Sequence, residues 1–210
     1  MEIYLEYALL VFTSLFAMMN PIGVIPVYMS MTSKLPSEEA KRVAFKSSLT
    51  ACLTLFFFAF SGKFIFDFFA ISVNSLKVVG GIIFFITGYD MLQARFVRTK
   101  SENETEVEFA NDVAITPLAI PIICGPGAIT VVIIYMQEGL TIVHNSILLF
   151  CVFGICSLTW ITLLSSRKIF QFLGANGNKV MMRIMGLIVM VIAVEFFFSG
   201  LKPIIQGIIH

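Results

Sequence analysis

AITPLAIPIICGPGAITVVI spans residues 114–133, with three prolines (Pro117, Pro121, Pro126), two glycines (Gly125, Gly127) and no charge. A run this apolar belongs in a membrane, where a crossing helix needs about 20 such residues. Lipid offers no partners to backbone N–H and C=O groups, so a break there must face protein or a wet cavity. Breaking this run in its middle therefore calls for a reason.

The rest of the chain has the same character. Of 210 residues, 58% are hydrophobic and 13% charged, and the mean hydropathy is +0.94. This is the composition of an integral membrane protein. Net charge is +1 with no long basic run, which argues against a nucleic-acid partner. Cys52, Cys124, Cys151 and Cys156 lie in apolar runs without a CxxC pair and read as buried thiols. His144 and His210 have no clustered partners, so no metal site is expected. MEIYLEYALL carries two acids and no Lys or Arg, unlike the basic start of a secretory signal.

Six apolar segments are expected to span: about 5–31, 47–62, 76–94, 113–136, 145–166 and 184–201. The second is short, with Lys46 and Lys63 able to snorkel to the two interfaces. Residues 64–75 read as a loop or a short piece dipping into the membrane. Residues 101–112 (SENETEVEFAND) read as an acidic, solvated cytoplasmic linker between two halves, 1–100 and 113–210. The Asn103-Glu104-Thr105 sequon inside it is read as a chance match. With the N-terminus outside, the inside loops hold Lys34, Lys41, Arg42, Lys46, Arg95, Arg98, Lys100, Arg167, Lys168, Lys179 and Arg183. Only Lys63, Lys77 and Lys202 fall outside, so the positive-inside rule places both termini outside.

The broken run has a twin in the first span. Asn20-Pro21 with Gly23 matches Gly125-Pro126 with Gly127. Likewise Lys77-Val78-Val79-Gly80 in the third span matches Arg183-Ile184-Met185-Gly186 in the sixth. The expected fold is all-α, with six spans in two inverted three-helix repeats and broken first and fourth helices. Proline favours the first turn of a helix, and Asn or Gly can cap it. Both breaks thus read as starts of half-helices, which expose unpaired N–H groups and a positive dipole end. Two such ends meeting near the midplane suit a carboxylate. Taken singly, Pro26 and Pro117 read as kinks. Thr13, Ser14, Thr116 and Thr130 could add hydroxyls, though each can equally bond its own helix backbone.

NPIGVIPVYMS, KVVGGIIFFITGYDML, PLAIPIICGPGAITVVI and RIMGLIVMVIAVEFFFSGL together resemble the MarC family over nearly the whole chain. The resemblance implies a six-span protein of the prokaryotic cytoplasmic membrane. An archaeal relative transports small neutral amino acids such as glycine and alanine, so the same substrate class is implied here. It would bind at Asn20, Pro21, Gly23, Gly125, Pro126 and Gly127, with the hydroxyl of Thr130 as a further candidate contact read from the residues. The half-helix N-termini would take its carboxylate and freed carbonyls its ammonium, and the glycines would leave room for only a small side chain.

Glu195, seven residues before Lys202, is a candidate for a coupling proton, with sodium as the other coupling ion. The competing reading is a hydrated acid near the outer interface, and family relatives often carry glutamine there. Asp90 is expected to pair with Arg95 at the inner interface. GGIIFFITG lacks the lysine of a P-loop, and no nucleophile–base pair appears, so neither an enzyme nor a cofactor is expected. Two other classes fit the same helices: a channel-like pore and a membrane scaffold without transport.

Overall fold

The computed structural model of the chain describes residues 2–94, 105–139 and 141–209. Among them the protein is all-helical, with five segments long and apolar enough to cross a membrane, or six if one bent pair counts as a span. The first span comprises α1 (Glu2–Met19) and α2 (Pro21–Thr32). Asn20 separates them in the left-handed region, φ 42° and ψ 63°. Asn is one of the few residues that tolerates that backbone. Pro21 then opens α2 at its first position, where a missing N–H costs nothing. Ten of the twelve α2 residues are buried, so this half-helix lies at the heart of the bundle. Pro26 sits inside it without interrupting it, as a single proline can.

The second span, α3 (Ser37–Phe68), has 32 residues rather than the expected 16-residue core of 47–62. It starts earlier because Glu38 and Glu39 favour a helix N-terminus. It ends later because nothing in Phe64–Phe68 stops it. Residues 64–75 are therefore mostly helical, with a loop only at the turn between two helices. They are the end of α3, a turn through Ala70 (φ 53°), and the start of α4 (Val73–Leu92). Ser72 caps α4, its hydroxyl accepting the Ser75 N–H at 3.0 Å.

From Thr105 onward the acidic stretch is a helix rather than a loop. Thr105 and Glu108 form a reciprocal capping box that starts α5 (Glu106–Val113). Phe109, Ala110 and Val113 are buried, and Lys46 of α3 donates to the Asn111 carboxamide oxygen. Hydrophobic residues every third or fourth position bind this short helix to the bundle despite its acids. Arg95, and with it the expected Asp90–Arg95 pair, lies outside the described residues, as do Arg98, Lys100 and part of the linker.

Residues 114–123 depart furthest from a plain helix. Thr116 and Ile120 have extended backbone (φ −129° and −128°), each directly before a proline, and both proline bonds are cis. A residue before proline is pushed out of the helical region by the proline ring. Pro117 thus does more than kink, since Pro121 repeats the interruption one turn later. Gly125 is again extended, and α6 (Pro126–Glu138) leaves at 60° to the segment before it.

The last element, α7 (Ile142–Ile209), has two apolar limbs, Ile142–Ile169 and Asn176–Ile208, hinged at Gly174 (φ 67°). They are longer than the expected 145–166 and 184–201. The first limb packs on α1, α2 and α3. The second runs antiparallel to α4 along a seam of glycines. A Cβ on Gly81 would meet the Ala193 carbonyl oxygen at 2.8 Å, and one on Gly186 the Gly88 carbonyl oxygen at 2.6 Å. In lipid, helices associate by such close backbone packing, not by a hydrophobic drive. Phenylalanines 57, 60, 64, 68, 150, 153 and 198 point outward, each more than half exposed. The four cysteines are buried and unbridged.

Candidate functional site

At the first break, the Asn20 side chain accepts the Gly23 N–H at 3.1 Å, satisfying one orphan donor of α2 with its own N-cap. Backbone bonding continues on either side, from Asn20 N to Phe16 O at 2.9 Å and from Val24 N to Asn20 O at 3.2 Å. The break therefore exposes little beyond the carboxamide itself. The second break differs. Gly125 offers no side-chain cap and Pro126 has no N–H, so the first amides of α6 have no side-chain partner.

The two breaks come together around one aromatic ring that the sequence reading did not single out. A Cβ on Gly125 would stand 2.2 Å from Phe84 Cε1, and one on Gly127 would stand 3.2 Å from Phe84 Cε2. The ring therefore lies across the start of α6. Met18, two residues before Asn20, also reaches Gly127, its Sδ 2.8 Å from a Cβ there. Beside the ring and the first break is a small cavity of about 40 Å³, bordered by Asn20, Gly23, Phe84, Thr87, Ile122 and Ile192 among others; Gly125, Pro126, Gly127 and Thr130 do not border it. The cavity has room for a few water molecules. Phe84 is 6% exposed and packs on Phe196 with ring centroids 6.3 Å apart. Gly80 makes room for Pro126 on the same side, since a Cβ there would sit 2.6 Å from Pro126 Cβ. No sequence signal separates Phe84 from its neighbour Phe85, which is 42% exposed; only the fold does.

The remaining candidates divide. Thr130 is 1% exposed and its hydroxyl has no hydrogen-bond partner. Thr13 bonds its own helix, at 2.7 Å to Leu9 O, and Thr116 is exposed. Ser14 instead reaches across to the Tyr135 hydroxyl at 3.2 Å, tying α1 to α6. Glu195 is on the exposed face of the second α7 limb and does not border the cavity; among the described residues no ion pair joins it to Lys202. Asn178, unforeseen from the sequence, is buried, donates to Pro26 O at 3.4 Å, and leaves its own carboxamide oxygen unpartnered. Among the described residues no group of three or more His, Cys, Asp or Glu could hold a metal.

Several apolar spans, a broken pair among them, and a small polar-edged cavity at the first break define a multi-pass α-helical membrane protein. The chain matches the family of MarC integral membrane proteins over residues 5–205, and it belongs to that family. A UPF0056 membrane protein of Pyrococcus horikoshii is 39% identical over 194 residues, covering 92% of this chain and 94% of the relative. One from Methanocaldococcus jannaschii is 33% identical over 199 residues, 94% of this chain and 97% of the relative. One from Buchnera aphidicola is 32% identical over 215 residues, 100% of this chain and 97% of the relative. These names give membrane residence and no substrate. No solved structure matches the chain.

Proposed function

We propose that the protein is a secondary transporter of small neutral amino acids of the glycine and alanine kind. It works by alternating access between two inverted three-helix repeats in a prokaryotic cytoplasmic membrane, with both termini outside. The observation that carries this reading is the meeting of two helix breaks at Phe84, whose ring lies across Gly125 and Gly127 and borders a small cavity beside Asn20 and Gly23. An uncapped helix start favours a carboxylate. The cavity volume favours a ligand with a side chain no larger than a methyl group or two.

The antiparallel seam supports the inverted repeat. Asn74 faces Gly200, Gly81 faces Ala193 and Gly88 faces Gly186, so the pairing centres on Phe84 opposite Met190. Lys77-to-Gly80 and Arg183-to-Gly186 are offset by the same spacing that carries Phe84 onto Met190. A twofold axis in the membrane plane produces that pattern.

The test is counterflow of labelled glycine and alanine in proteoliposomes, comparing wild type with a folded Asn20→Leu variant. Saturable counterflow that the variant loses is the expected result. Unsaturable flux without counterflow would make the protein a pore. No flux from folded wild type across a panel of small amino acids would remove the substrate assignment.

A further inference from the structure

Away from the breaks, a groove runs along the outer face of the bundle between α3 and the first limb of α7. At the N-terminal end of α3 it opens as a cavity of about 400 Å³ edged by Glu38, Lys41 and Arg42. Further along it continues as a cleft of about 160 Å³ lined by Ser48, Leu49, Cys52 and Cys156. Phe45 and Trp160 border both parts, with their rings edge to face at 5.8 Å. Read along the helix axis, the groove presents charges, then an aromatic pair, then the hydroxyls of Ser48 and Ser157, then apolar walls.

That is the order of chemistry along a phospholipid. Trp beside the charged end of a span is the usual interfacial arrangement. Ser48, under two helical turns beyond Arg42, is 4% exposed, yet its hydroxyl has no hydrogen-bond partner. A buried hydroxyl without a partner is costly, and because Ser48 lines the cleft, rotation about its Cα–Cβ bond would turn the hydroxyl toward a lipid ester carbonyl at that depth. The charges at the mouth are of both signs. Lys41 pairs with Glu38 at 2.8 Å, but their side chains are 58% and 82% exposed. Such a pair holds weakly and opens readily to a ligand. Arg42 leans on Glu39 at 3.1 Å and keeps further N–H donors for an incoming oxyanion.

We propose that this groove is a binding site for one glycerophospholipid with a phosphate–ammonium headgroup. Lys41 and Arg42 take its phosphate, Glu38 its ammonium and Ser48 an ester carbonyl. One acyl chain lies against Phe45, Trp160 and Leu49. A purely anionic headgroup would meet Glu38 and Glu39 as well as the cations, and a quaternary ammonium could not donate to Glu38. The site is independent of the transport reading.

Trp160 is the chain's only tryptophan, so its fluorescence reports on this groove alone. The experiment reconstitutes wild type in phosphatidylcholine with a minor fraction of brominated phosphatidylethanolamine, brominated phosphatidylglycerol or brominated phosphatidylcholine. Bromine quenches a tryptophan it touches. Brominated phosphatidylethanolamine is expected to quench several-fold more than its share of the lipid. The Glu38→Gln, Lys41→Gln double variant, with unchanged helicity and unquenched fluorescence, should return quenching to that share. Quenching that follows lipid share for every headgroup, or that favours phosphatidylglycerol, overturns the proposal.

Discussion

Gly125→Ala should damage the protein far more than Gly127→Ala, though both add one methyl group at the same break. At Gly125 the new Cβ would meet Phe84 Cε1 at 2.2 Å, Phe84 Cζ at 2.6 Å and the Pro121 carbonyl oxygen at 2.7 Å. The ring is buried against Phe196 and the carbonyl is backbone, so neither yields cheaply. Overpacking of this kind costs about 1–3 kcal/mol. At Gly127 the tightest contact is Met18 Sδ at 2.8 Å, in a flexible side chain that can turn aside, with Phe84 at 3.2 Å. The expected cost there is under about 1 kcal/mol. Neither glycine has positive φ, so backbone strain does not enter. The assay is thermal unfolding of the detergent-solubilised variants, followed by a double cycle with Phe84→Leu. Coupling between Gly125→Ala and Phe84→Leu should reach about 0.5–3 kcal/mol, as for residues in contact. Gly127→Ala should fold and shift counterflow away from alanine relative to glycine, because its methyl pushes on Met18 and Phe84, which border the cavity. Equal melting of both variants, or no coupling to Phe84, would refute the packing; an untouched substrate range in Gly127→Ala would refute the size limit.

Three further outcomes follow from the same geometry. Asn20→Gly keeps the left-handed backbone while losing the cap, whereas Asn20→Ala loses both. Ala should therefore be the less stable by about 1–2 kcal/mol in the same melts, and both should lose uptake. Thr130→Val replaces a buried, unpartnered hydroxyl by a methyl, so melting should hold or rise while glycine uptake falls. Unchanged uptake would remove Thr130 from the site. Glu195 faces outward, so Glu195→Gln should retain whatever pH dependence net uptake shows; loss of that dependence would restore Glu195 as the coupling group.

The class of fold was legible because long apolar runs and the Pro/Gly breaks are local signals. Asn20-Pro21 and Gly125-Pro126 could be read as helix starts from proline chemistry alone, and α2 and α6 do start there. Extents were less legible. Ser37–Lys46 and Phe64–Phe68 carry charges or sit past a lysine, and hydropathy stops there while the helix does not. Thr105 and Glu108 spelled a capping box inside a stretch whose acidity suggested solvent. Two prolines four apart doubled an interruption that either alone would have left as a kink. Phe84, Met18 and Asn178 were invisible for another reason. Each matters through a partner far away in the chain, and an apolar or amide side chain carries no mark of that partner in its own neighbourhood.

Both breaks must contribute to one site if the helix starts bind a single ligand. Equilibrium binding of labelled glycine to purified protein tests this most directly, in wild type, in Asn20→Leu and in a folded Gly127→Leu variant. Saturable binding at one site per chain in wild type, abolished by either substitution, is the predicted result. Binding that survives in either variant would contradict it, because one of the two breaks would then lie outside the site.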